Sequence, residues 1–172
     1  MARVMEWFDL VNINGTVIGK APRNVCHGHP GLMHQAVHVL VFDRMGRLFL
    51  QKRSPAKDVQ PGKWDTSVGG HLHPGESPLA GAQREMLEEL GVPPLALTPA
   101  YRYMWRSEIE TELITAFYTR HEGPFHLDPG EIDEGRFWSP TEIEERLTSG
   151  IFTPQFEREY YRIRECHVLL EA

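Results

Sequence analysis

The segment Ser77–Gly91 (SPLAGAQREMLEELG) constrains this chain more than any other, because its ends and its faces all describe one short helix. Ser77 suits the N-cap, Pro78 the first helical position, and Gly91 the left-handed stop beyond Leu90. Leu79, Ala82, Met86 and Leu90 cluster on a face that can pack against a sheet. Glu85, Glu88 and Glu89 stand at i, i+3 and i+4, within an arc of roughly 100° on an adjoining face. Three carboxylates so placed repel one another, and the cluster is costly unless it is solvated or holds a cation. A solvated acidic face is the usual fate of such a run. A cation site is the alternative, and it would take Mg2+ or Mn2+, because hard cations favour oxygen ligands.

The residues before the helix favour the cation. Gly69-Gly70 leads into a short loop with His71, Pro74, Gly75 and Glu76, and glycines there let a phosphate approach the backbone. Arg84 can pair with Glu76 and fix the loop against the helix. The net charge of −6 speaks against a nucleic-acid backbone as the main partner. An acidic protein that handles phosphates needs a counter-charge, and a bound divalent cation supplies one.

The 172 residues fit one domain, 1–172, with an N-terminal hairpin and loop over 1–30 and a C-terminal helix over 153–172. Phe8 to Asn12, the Asn14-Gly15 turn and Thr16 to Ile18 make the hairpin. Residues 21–33, rich in Gly and Pro, read as a loop. Gln35 to Phe42 reads as a buried strand, paired through the Arg44-Met45-Gly46 turn with Arg47 to Lys52. Trp64 to Val68 is a short strand before a Gly-rich turn. Further strands are expected at Ala100–Arg106, Thr111–Arg120 and Arg136–Trp138, a small helix at Ser139, and a last helix from Thr153 or Pro154. The pattern is a mixed α/β sandwich. No run approaches the roughly 20 apolar residues of a membrane span. Cys26 and Cys166 form no CxxC pair, and the N-terminus lacks a signal-peptide core, so the expected setting is cytoplasmic, with no membrane partner.

Gly70, five residues, Glu76, seven residues, then Arg84-Glu85-Met86-Leu87-Glu88-Glu89-Leu90-Gly91-Val92 resembles the Nudix box at every fixed position. The resemblance implies an α/β/α sandwich with a mixed sheet, in which a loop–helix–loop carries the chemistry. It implies that Glu85, Glu88 and Glu89 bind Mg2+ (or Mn2+), with Arg84 beside them in the catalytic motif and Gly69 and Gly70 at the substrate. The cation polarises a phosphoryl oxygen and helps activate water. The substrate would be a small-molecule diphosphate, such as a nucleoside diphosphate derivative.

Over roughly residues 8–150 the chain also looks like isopentenyl-diphosphate isomerase, a Nudix-fold enzyme. His27, His34 and His71 match its metal-ligand histidines, Glu110 and Glu112 its acidic ligands, and Arg53 and Lys57 basic residues near its diphosphate. Glu110 and Glu112, two apart, share a face if their segment is a strand. Three imidazoles and two carboxylates suit a second metal, Mn2+ or Zn2+, better than Mg2+. Two positions depart from the isomerase. Gly69 stands where it needs a cysteine, and Glu85 stands where it has a basic residue. Hydrolysis is therefore the expected activity, with isomerisation and a non-catalytic nucleotide-binding module as the alternatives.

Lesser candidates remain. Tyr101, Tyr103 and Trp105 alternate along a strand and either stack a base or pack the sheet. Glu131 lies in a late loop, where some Nudix enzymes carry a base. Phe156, Tyr160, Ile163 and Val168 form an apolar helical stripe for packing or for a homodimer.

Overall fold

The computed structural model describes residues 5–166. It begins with a hairpin of β1 (Trp7–Val11) and β2 (Val17–Pro22). Gly15 takes φ +80° in the turn, and the Asn12 carboxamide oxygen accepts from the backbone N–H of Asn14 and Thr16, each at 3.0 Å. A single helical turn, α1 (Arg23–Cys26), leads to β3 (Met33–Phe42), followed by β4 (Leu48–Arg53), β5 (Trp64–Asp65) and β6 (Val68–His71). Helix α2 (Pro78–Leu90) comes next, then β7 (Thr98–Arg106), β8 (Thr111–Arg120) and β9 (Ile132–Trp138). The short α3 (Pro140–Glu144) and the longer α4 (Pro154–Glu165) close the described chain.

All nine strands join one mixed sheet around β3. β3 runs parallel to β8 from Met33↔Thr111 to Phe42↔Arg120, and antiparallel to β6, with Ala36 opposite His71, Val37 opposite Gly70 and His38 opposite Gly69. Because successive side chains alternate, β3 feeds two cores. Val37, Val39 and Val41 pack with Val68, Phe117 and the α2 residues Ala82, Met86 and Leu90. Leu40 and Phe42 pack with Leu48, Leu50, Trp138 and the α4 residues Phe156, Tyr160 and Ile163. A helix covers each face, so the α/β/α sandwich is realised.

Several local expectations change. Residues 21–33 are not all loop, since 23–26 form α1 and Met33 already belongs to β3. β2 runs on to Pro22, and β9 begins at Ile132 rather than Arg136 because its pairing with β4 supplies bonds that local sequence does not announce. Trp64–Val68 is not one strand. It splits into β5 and β6, and Gly69-Gly70 lies within β6 rather than in a turn. Leu79 is exposed, because the stripe that meets the sheet is Ala82, Met86 and Leu90. Val168 lies outside the described residues.

Candidate active site

The helix that carries the carboxylates is fixed at both ends by its own sequence. Ser77 Oγ accepts from Ala80 N–H at 3.3 Å, and Gly91 takes φ +65° and returns its N–H to Leu87 O. The loop before it is held by Arg84. Its Nε donates to Glu76 Oε1 and its Nη2 to Glu76 Oε2, both at 2.9 Å, and Nη2 also donates to His71 O at 3.0 Å. This two-point fork carries direction as well as energy. Glu76 accepts from His73 N–H as well, and the Arg84 fork holds its carboxyl below the usual range.

Three carboxylates follow with three different surroundings. Glu88 is half-exposed and accepts from Arg84 Nη1 at 3.1 Å. Glu85 is only 12% exposed, and burial raises its pKa although Arg84 Nη1 donates to it at 2.7 Å. Glu89 is buried. Its Oε2 accepts from Gln51 Nε2 at 2.9 Å and from Gly69 N–H at 3.3 Å. Burial, reinforced by Glu85, pushes its pKa up to about 8. Gly70 explains why β6 needs its glycines here, since a Cβ at that position would strike the Glu85 carboxylate.

Alternation along β6 puts His71 on the other face, in a second cluster. Donor atoms of His27, His34, His71 and Glu110 lie within 4.8 Å of one another, close to the span of ligands about 2.1 Å from a shared ion. Glu110 Oε2 is 3.1 Å from His27 Nε2 and 3.6 Å from His34 Nε2, yet these atoms and His71 Nε2 are buried without hydrogen-bond alignment. They face a common point instead of each other. Leu32 O lies 3.3 Å from His34 Nδ1, a contact that places a proton on Nδ1 and turns Nε2 toward the cluster. Burial, with the neighbouring His71, Arg23 and His34, outweighs Glu110 and lowers the His27 pKa to about 4, so this ring is neutral and able to ligate. Glu112 Oε1 lies 2.9 Å from His71 Nε2, and its Oε2 accepts from Gln155 at 2.8 Å. Despite burial, the surrounding imidazoles hold Glu112 well below the usual carboxylate range. Glu110 sits in the turn before β8 rather than in the strand, and still reaches the cluster.

The remaining expected residues are engaged within the protein. Arg53 Nη1 bonds Asp65 at 3.2 Å and its Nε donates to Val59 O, while Lys57 pairs with Glu131. Tyr101 Oη donates to Glu159 at 3.2 Å, and Tyr103 is buried, so these two rings pack the sheet. Three contributors were not singled out from the sequence. Gln51 donates to Glu89, Gln155 donates to Glu112, and Phe8 stacks on His34 and His71 at ring-centroid distances of 4.8 and 4.6 Å. Only the alternation of β1 hinted that Phe8 points inward.

The family model described as NUDIX domain matches residues 32–157. An isopentenyl-diphosphate Delta-isomerase of Streptomyces coelicolor is 36% identical over 154 residues, covering 86% of this chain and 78% of its own. An uncharacterized Nudix hydrolase of Yersinia pestis is 35% identical over 153 residues, covering 89% and 82%. Among solved structures, DR0079 from Deinococcus radiodurans aligns with a TM-score of 0.80 at 24% identity, covering 94% of this chain and 99% of that one.

Proposed function

This chain belongs to the Nudix family of hydrolases acting on phosphorus-containing anhydrides, and from that premise we propose that it hydrolyses the diphosphate linkage of a small organic diphosphate with a divalent cation held by Glu85, Glu88 and Glu89. The observation that carries the reading is the pair of buried carboxylates, Glu85 and Glu89, against the Gly69-Gly70 backbone. Burial raises the pKa of both, and no cationic side chain bonds Glu89 among the described residues. A carboxylate placed so is costly by itself and fits a hard cation.

Mg2+ or Mn2+ bound there would offset the charge that develops on the phosphoryl oxygens and acidify water. The chain's own residues do the rest. Arg84 locks the loop to the helix and keeps Glu85 in place. Gln51 and the Gly69 N–H orient Glu89. Gly70, lacking a Cβ, leaves the Glu85 carboxylate room to lie against β6. Arg53 and Lys57 lie on the β4–β5 side and would bind phosphate oxygens by exchanging Asp65 and Glu131 for them. The convergent atoms of His27, His34, His71 and Glu110, buried without aligned hydrogen bonds, fit a second ion, Mn2+ or Zn2+, with Glu112 beside it.

Incubation with nucleotides, nucleotide sugars and prenyl diphosphates plus Mg2+ or Mn2+ tests the reading. Hydrolysis of at least one is expected, and Glu89→Gln should lower kcat by at least about 10²-fold. A wild-type rate in that variant would refute the assignment. The His/Glu cluster and the isomerase-named relatives favour a second reading, double-bond isomerisation. Gly69 opposes it, having no side chain to move a proton at carbon. Dimethylallyl diphosphate formed from isopentenyl diphosphate would replace the hydrolase reading with this one.

A further inference from the structure

Two buried carboxylates beside the candidate cation sites, Glu89 and Glu112, are each gripped by a side-chain carboxamide. Gln51 Nε2 donates to Glu89 Oε2 at 2.9 Å, and Gln155 Nε2 donates to Glu112 Oε2 at 2.8 Å. An ionised carboxylate only accepts, so the amide's NH2 end must face it. A neutral donor fixes one oxygen without cancelling the charge, which a lysine or arginine in the same place would do. A carboxylate held in this way is oriented and still available to a cation.

The geometry around Glu112 shows what that orientation serves. Glu112 lies on β8 opposite His34 of β3, and opposite residues share a face, so its carboxylate stands in the row of the imidazole cluster. Gln155 occupies Oε2, and the other oxygen, Oε1, lies 2.9 Å from His71 Nε2. The two atoms are not aligned for a hydrogen bond, since His71 Nε2 is buried without one. Neighbouring ligands about 2.1 Å from an octahedral ion stand roughly 3.0 Å apart. The spacing of Oε1 and Nε2 is that of two ligands of one ion.

Gln155 sits in the first turn of α4, and the helix has other anchors to the sheet. Its N-cap, Thr153, donates from Oγ1 to Asp65 Oδ1 at 2.9 Å and from its N–H to Trp64 O at 2.8 Å. One turn beyond Gln155, Glu159 Oε2 lies 2.7 Å from His38 Nδ1, and the other Glu159 oxygen accepts from Tyr101. Burial works against charge on His38, but Glu159 outweighs it and raises the pKa to about 9, so this contact is an ion pair at neutral pH. Phe156, Tyr160 and Ile163 are fully buried beneath the helix. The bond from Gln155 is thus not what docks α4; its acceptor is the one carboxylate that also borders the imidazoles.

We propose that Gln155 is a positioning residue for the second ion. By holding Glu112 Oε2 it presents Oε1 beside His71 as a further ligand to the cation of His27, His34, His71 and Glu110. The inference rests on the reading of that cluster as a cation site.

The probe is Co2+, whose visible spectrum reports its ligands. The full chain is titrated with Co2+ in excess Mg2+, which keeps the α2 carboxylates filled, in wild type, Gln155→Leu, Glu112→Gln and the double variant. Wild type should bind one Co2+ equivalent that His34→Ala loses. Gln155→Leu should weaken that equivalent about 10–100-fold and change its spectrum. The double variant should bind no more weakly than Glu112→Gln, because Gln155 acts through Glu112. A second measurement needs no substitution at residue 155. The side-chain 15N–1H signals of Gln155 in wild type should move as Zn2+ fills the same site and stay in place with Mg2+. Equal affinity and spectrum in wild type and Gln155→Leu, a double variant weaker than Glu112→Gln, or unmoved Gln155 signals with Zn2+ overturns the role of Gln155 and leaves the second cation site standing. Absence of a His34-dependent Co2+ equivalent in wild type overturns both.

Discussion

Gly70→Ala isolates the coupling between β6 and the carboxylate-bearing helix α2. The new Cβ would overlap the Glu85 carboxylate, with Oε2 only 2.6 Å away. The clashing atoms are the far end of a rotatable side chain, so relief comes from Glu85 turning away rather than from movement of β6. Turning away breaks its bond to Arg84 but returns a desolvated carboxylate to water. These terms are each about 1–2 kcal/mol and oppose one another, which leaves a net change within about 1 kcal/mol. For a chain of this size that is a Tm shift of no more than roughly 2–4 °C. Activity should respond very differently. Loss of one preorganised charge at a phosphoryl centre costs roughly 10²–10³-fold in kcat. Thermal unfolding and steady-state hydrolysis, measured on Gly70→Ala, Glu85→Gln and the double variant, decide the matter. The two single variants should lose similar activity, and the double variant should lose little more, since both act through Glu85. Wild-type kcat in Gly70→Ala would refute the placement of Glu85. A Tm fall beyond about 10 °C in Gly70→Ala would show that the strand itself carries the strain.

Other outcomes follow from the same geometry. Arg84→Lys keeps the charge but cannot make both Glu76 bonds and the His71 carbonyl bond together, so kcat/KM should fall about ten-fold and limited proteolysis should cut the loop before α2 faster. His34→Ala removes an inward-facing donor, and titration calorimetry should show loss of one Mn2+ or Zn2+ equivalent, with Mg2+ binding at the α2 carboxylates retained. His38 has a folded-state pKa of about 9 against an ordinary 6.5, so its stabilising contribution is complete below pH 6.5 and fades as pH rises through 9. At about 1.4 kcal/mol per pH unit the gap amounts to roughly 3 kcal/mol. Thermal unfolding between pH 6 and 9.5 should show that decline in wild type and a flatter profile in Glu159→Gln; parallel profiles would contradict it.

The sequence by itself determined the features that depend on neighbours along the chain. The capped helix from Ser77 to Gly91, its run of Glu85, Glu88 and Glu89, and the Glu76–Arg84 pairing are all within one or two helical turns, where spacing dictates geometry. The strand β3 was legible for a similar reason, since an apolar run of that length must be buried. Family likeness extended this reach to His27, His34, His71, Glu110 and Glu112, which local pattern alone would have left as loop histidines and surface carboxylates. Tertiary structure decided what each group experiences. Glu88 and Glu89 are adjacent and chemically identical, yet one is half in water and the other lies under β6 with a pKa of about 8. That difference comes from burial under the sheet, reinforced by Glu85 and only partly offset by the bonds from Gln51 and the Gly69 N–H, 38 and 20 residues away in sequence. The pairing of His38 with Glu159 spans 121 residues. No spacing rule reaches that far, because the contact exists only once α4 has closed over the sheet.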